Sequence, residues 1–143
     1  LETVFDRVRQ EWGRLDFLLH AIAYAPLSDL RSRLVDVSLA GWTIAMDVSV
    51  HSFIRMARLA EPLMPHGGCL LTLSYLGGER VIRSYRMMGP VKAALQQTTQ
   101  YLAAELGDKG AIEQYESADF DAVIALGDAT IEQAPPTKPA RAS

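Results

Sequence analysis

The sequence predicts an α/β fold built on a doubly wound parallel sheet, and three observations carry that prediction. Apolar residues recur at helical spacing in three long segments. Two short apolar runs lie between them, nearly continuous, as in strands covered on both faces of a parallel sheet. The resulting order of helix, strand, helix, strand, helix is the rhythm of a sheet wound by helices. With 143 residues, 49% of them apolar, the chain is large enough for one globular core.

Leu1, Val4, Phe5, Val8 and Trp12 share one face of a first helix over residues 1–12, which Gly13 ends. Leu15–Ala21 is the first strand. A loop with Pro26, Ser28 and Asp29 follows, and Ser38 is placed to cap a second helix running to about Met64. Its stripe is Met46, Val50, Phe53, Ala57, Ala60 and Met64, and Pro62, Pro65, Gly67 and Gly68 close it. Cys69–Ser74 is the second strand. A third helix reaches about Leu106, with Val91, Leu95, Thr98 and Leu102 on one side.

Residues 1–110 read as one domain, and the character then changes. Residues 111–131 form an acidic, divergent segment with one short strand in Ala122–Leu126. Residues 132–143 carry three prolines among small polar residues and read as a disordered tail. No internal repeat is present.

Composition excludes several function classes. A net charge of −3 argues against a general nucleic-acid footprint. No apolar run approaches the roughly 20 residues of a membrane span. The first residues carry scattered charges and no signal-peptide core. The single cysteine, Cys69, opens an apolar run, reads as an inert core thiol and fits a reducing, cytoplasmic setting. His20, His51 and His66 stand far apart with no acidic or cysteine partner at ligand spacing, so no metal site is expected.

The chemistry concentrates between Ser74 and Lys92. Seven residues separate Tyr85 from Lys92, about two helical turns, so one continuous helix would set both on one face. Pro90 opposes this, because it disfavours helical backbone at Gly89; a helix starting at Pro90 would leave Tyr85 in a loop. An ammonium beside a phenol favours the phenolate and lowers the tyrosine's pKa. The same lysine could reach the hydroxyls of a bound ribose. Tyrosine plus lysine beside a sugar-bearing cofactor is the chemistry of a nicotinamide-dependent reductase. Both Ala21–Pro26 and Ser74–Gly78 follow strands, where ligands bind in such sheets.

The spacing from Tyr85 to Lys92, with Tyr75 ten residues upstream, resembles the enoyl-acyl carrier protein reductases of bacterial fatty-acid synthesis. These are a divergent branch of the short-chain dehydrogenase/reductases, whose usual lysine falls four residues after the tyrosine, here Gly89. The stretches HAIAYAP at 20–26, MDVSVHSFIRMARLAEPLM at 46–64, LTLSYLG at 71–77 and MGPVKAAL at 88–95 are similar to the same family. The resemblance runs from about Leu1 to Gly110 and implies an incomplete Rossmann-like sheet. It implies that Lys92 holds the nicotinamide ribose of NADH, that Tyr85 lies beside the thioester carbonyl, and that Tyr75 is a second active-site tyrosine. Ile22 would contact the cofactor and Ala25 the substrate, although a strand-end isoleucine is as readily a core residue. Ala21 departs from the family's usual serine, and Ser49 stands where other short-chain dehydrogenases carry an asparagine. The implied substrate is a trans-2-enoyl thioester on acyl carrier protein, and the implied assembly is a homo-oligomer, commonly a tetramer.

The glycine-rich turn that would cradle the cofactor pyrophosphate has no counterpart here. The chain therefore reads as the central and later part of such an enzyme, expected to be a poor catalyst alone and marginally soluble as a monomer. Two other functions fit the same residues. One is a short-chain ketoreductase; the other is a non-catalytic module that associates through the apolar stripes of its helices.

Overall fold

The computed structural model describes residues 1–107 and the strand Val123–Leu126. Most of the divergent segment and the whole 132–143 tail lie outside the described residues. The elements are α1 (Glu2–Glu11), β1 (Phe17–His20), α2 (Leu27–Arg31), α3 (Leu39–Met46), α4 (Ser52–Ala60), β2 (Gly68–Thr72), α5 (Met88–Leu106) and β3 (Val123–Leu126). Short 3-10 turns occupy Leu34–Asp36, Glu61–Leu63 and Leu76–Gly78.

β1 and β2 pair in parallel with His20 opposite Thr72, and β2 lies between β1 and β3. The expected parallel pairing therefore holds for β1 and β2, while β3 runs antiparallel to β2. An antiparallel edge on a parallel sheet is common, because that ladder is at least as stable per residue. The expectation of strands covered on both faces is met on one side. Leu70 and His20 are fully buried beneath the helices, whereas Phe17 and Leu19, on the opposite face of β1, are at least half exposed. An unbroken apolar run gives no information about which of its faces a given stretch of chain covers.

The predicted stripe of the second helix forms the core: Val50, Phe53, Ala57, Ala60 and Met64 are buried. Val91 and Leu95 of α5 meet it, and Phe5 closes it from α1. On α5 the buried threonine is Thr99 rather than Thr98, and its hydroxyl donates to the Leu95 carbonyl at 2.8 Å. Ser38 caps α3 as expected, accepting from the Gly41 amide at 3.0 Å. Asp29 reinforces that cap by accepting from the Ser38 amide at 2.7 Å, and a Cβ at Gly41 would overlap its carboxylate.

The second helix does not keep one geometry along its length. Expected to run unbroken to Met64, it changes to π geometry over Asp47–His51, between α3 and α4. A π turn inserts an extra residue and frees carbonyls from the regular ladder. Ser49 within this turn and Ser52 just after it are both buried.

Candidate active site

The carboxyl ends of β1 and β2 lie side by side and feed the two loops that carry the expected site residues. The Leu73 amide donates to the His20 carbonyl at 3.2 Å, carrying the pairing one residue past the strands. Beneath this junction His20 is wholly buried, with Nδ1 2.9 Å from Thr72 Oγ1 and Nε2 2.7 Å from Ser52 Oγ. Ser52 spends its own proton on the Val48 carbonyl at 2.6 Å, so it accepts from His20 Nε2–H. Nδ1 is then the acceptor for Thr72, and every polar atom of the ring is satisfied in the neutral form. Burial pushes the imidazole pKa below its ordinary value, and the nearby Lys92 charge pushes the same way.

Lys92 projects from the buried side of α5 and is itself buried. Its Nζ donates to the Leu73 carbonyl at 2.6 Å, placing the ammonium over the ends of both strands. Next to Leu73, the Ser74 Oγ is buried without a hydrogen-bond partner. A buried, unpartnered hydroxyl is unusual in a folded interior and marks a polar position suited to a ligand atom.

Tyr85 corrects the sequence-based geometry. α5 begins at Met88, so Tyr85 lies in the turn before it and not on the helix face of Lys92. Pro90 is accommodated as the third helical residue, where no intrahelical amide bond is lost. The turn is fixed by bonds from the Tyr85 amide to the Ile82 carbonyl at 2.9 Å and from the Met88 amide to the Tyr85 carbonyl at 3.1 Å. Arg86 takes left-handed backbone at φ 48°, which redirects the chain into α5.

The turn presents Tyr85 to Tyr75 with ring centroids 4.6 Å apart, tilted by 55°. A Cβ at Gly77 would overlap the Tyr85 ring, so a bare backbone there is what lets the phenol pack. Burial, and then the neighbouring Tyr75, raise the Tyr85 pKa. This reverses the expectation that Lys92 lowers it: the lysine's charge registers on His20 instead. The shift favours the neutral phenol, the form that can donate a hydrogen bond.

Ile22 and Ala25 sit on the loop after β1, the former exposed and the latter packed against the core. Ser49 grips this loop from the π turn, accepting from the Tyr24 amide at 3.0 Å and donating to the Tyr24 carbonyl at 3.2 Å. The expected residues thus gather in two groups, Tyr75 with Tyr85, and Lys92 with the strand ends, with the Ile22–Ala25 loop anchored beside the second. Sequence reading missed His20, Ser52, Thr72 and Ser74. Their signal was available: polar residues at the closing positions of otherwise apolar strands, and a serine three places after Ser49. Behind the tyrosine turn lies a groove of about 580 Å³ lined by Leu34, Val81, Ile82 and Pro90 and rimmed by arginines. Tyr85 and Lys92 do not line it.

The family model described as enoyl-(acyl carrier protein) reductase matches residues 1–112. The NADH enoyl-[acyl-carrier-protein] reductase of Nostoc sp. is 43% identical over 109 residues, which are 76% of this chain and 42% of that protein. The Synechocystis enzyme is 44% identical over 107 residues, 75% of this chain and 42% of its own length. Among solved structures, the Aquifex aeolicus NADH enoyl reductase superposes with a TM-score of 0.73 at 41% identity, covering 76% of this chain and 48% of that one. The Anaplasma phagocytophilum reductase in complex with NAD gives 0.73 at 45% identity, covering 75% and 41%. The chain spans less than half the length of these relatives.

Proposed function

Because the chain belongs to the enoyl-(acyl carrier protein) reductase family, we propose that its strand-end site serves the NADH-dependent reduction of a trans-2-enoyl thioester on acyl carrier protein. The observation that carries this reading is the buried Lys92 ammonium over the paired strand ends, with a neutral Tyr85 on the adjoining turn.

The residues present suit a nicotinamide riboside. Lys92 supplies a fixed donor, the buried Ser74 hydroxyl has unused hydrogen-bonding capacity, and Ile22 lies exposed on the neighbouring loop. Lys92 would hold the ribose hydroxyls and the Ile22 stretch would meet the nicotinamide. When bound, the cofactor would supply a hydride for the β-carbon of the enoyl thioester, and the resulting enolate would take a proton from solvent at its α-carbon.

The chain's own task is to stabilise charge on the thioester oxygen. Negative charge moves onto that oxygen as the double bond is reduced, and a preorganised donor there lowers the barrier. Tyr85 is that donor. Its phenol keeps its proton because burial opposes ionisation, so it enters the reaction in the donating form. Tyr75 packs against its ring and holds the oxygen's direction. Ala25 would border the substrate. A homo-oligomer is the assembly in keeping with this reading, and an acyl carrier protein its macromolecular partner.

The test uses residues 1–107 of this chain exchanged into the Nostoc reductase, which supplies the remaining length. The folded chimera is expected to oxidise NADH with crotonyl thioester and to leave acetoacetyl thioester untouched. Turnover of acetoacetyl thioester instead would make the site a ketoreductase, and no turnover with either would overturn the reading.

A further inference from the structure

We propose that Ser49 is a positioning residue for the cofactor loop, acting from the π turn of Asp47–His51. The inference rests on the reductase reading for what the loop contacts, and on geometry alone for how the loop is held. Ser49 is wholly buried, and its hydroxyl bonds one residue's backbone in both directions: it accepts from the Tyr24 amide at 3.0 Å and donates to the Tyr24 carbonyl at 3.2 Å. Using donor and acceptor on the same residue fixes that stretch of backbone in height and in rotation. Tyr24 lies between Ile22 and Ala25, so fixing it sets the backbone of both.

The side chain itself contributes no such restraint, since Tyr24 is about half exposed at 53%. The restraint therefore comes from beneath, through a single hydroxyl. Three residues on, Ser52 bonds His20, the residue at which β1 ends. One helical irregularity consequently anchors both the last residue of the strand and the loop that leaves it. A regular α-helix through Asp47–His51 would rotate these two serines relative to the strand, because the extra residue of a π turn offsets the register. The irregularity is thus the device that aligns the loop, and Ser49 is its contact with it.

The decisive experiment follows amide hydrogen exchange and ligand binding in the full chain, for wild type, Ser49→Ala and Ser49→Cys. Alanine removes the hydroxyl, while cysteine keeps the volume and offers only a weak hydrogen-bonding group. Both variants are expected to exchange about tenfold faster over residues 22–25, with α5 unchanged. Both are also expected to weaken binding of reduced nicotinamide mononucleotide, a probe that needs no pyrophosphate cradle, by about five- to tenfold. Ser49→Thr, which retains the hydroxyl, should restore both readouts toward wild type. Unchanged exchange at Tyr24, or equal acceleration across α5, would overturn the positioning role. Loosened exchange with undiminished binding would overturn it too, while leaving the reductase reading in place. No binding by a wild type with a protected loop would overturn the reductase reading, and the function assigned to Ser49 with it.

Discussion

The floor of the site and its rim are built on opposite terms. In the floor, His20, Ser52, Thr72 and Lys92 are buried and bound to one another or to the strand ends, at 2.6 to 2.9 Å for the principal contacts. At the rim, Tyr75 and Ile22 are more than 40% exposed, and Tyr85 is held mainly by ring packing and a turn. A buried polar group needs a partner inside the protein, whereas an exposed one can turn to a ligand. On the proposed reading, the floor therefore determines position and the rim provides chemistry. Ser74, whose hydroxyl oxygen is buried but unpartnered, marks the boundary between them.

Substitutions should separate the two regions by size of effect. The largest loss of stability belongs under the floor. Phe53 is wholly buried and packs against the His20 ring at 5.1 Å, so Phe53→Ala is expected to cost about 3–5 kcal/mol in urea unfolding. His20→Leu comes next, at about 1–3 kcal/mol, since Ser52 and Thr72 keep backbone acceptors but lose the ring. Tyr75→Ala at the rim should cost about 1 kcal/mol or less. If Tyr75→Ala proved as damaging as His20→Leu, the division between floor and rim would not stand.

Titration sharpens the same contrast, because the two regions shift in opposite senses. His20 is depressed in the folded state, so the unfolded chain takes up a proton first as pH falls. Stability should be complete above the unfolded value of 6.5, and decline as pH drops below it toward the folded value. The decline should disappear in His20→Leu. Lys92→Met removes one of the two depressing causes, and the His20 resonances should then titrate at higher pH than in wild type. Tyr85 is raised, so the unfolded chain ionises first and stability falls as pH climbs above 10. In an absorbance titration Tyr85→Phe should delete a phenol that ionises above pH 10. An earlier step lost instead would contradict the burial argument. This is the smallest of the expected effects.

Much of the floor's framework was legible in the sequence, and most of its polar detail was not. The stripe from Val50 to Met64 announced the core because helical periodicity survives local irregularity. Ser38 announced its cap because capping is a local event. The π turn carries no such signature, since Asp47–His51 has ordinary helix-compatible residues. Without it Ser49 reads as one serine in a helix, and its bond to Tyr24 spans 25 residues that spacing cannot connect. Of the two placements the sequence left open for Tyr85, helix face or preceding loop, the structure has the loop, and the positive φ at Arg86 turns the chain into α5 after it. The direction of its pKa failed for the same reason. Proximity to Lys92 was inferred from helix geometry, whereas burial beside Tyr75 decides the matter.

In the proposed reaction everything turns on Tyr85 as the donor at the thioester oxygen, and Tyr85→Phe in the Nostoc chimera tests that role most directly. Single-turnover reduction of crotonyl thioester should slow by about 10²–10³-fold, the usual loss on removing one such donor, with NADH affinity and melting temperature unchanged. A variant that reduces crotonyl thioester at the wild-type rate, with NADH affinity intact, would contradict it.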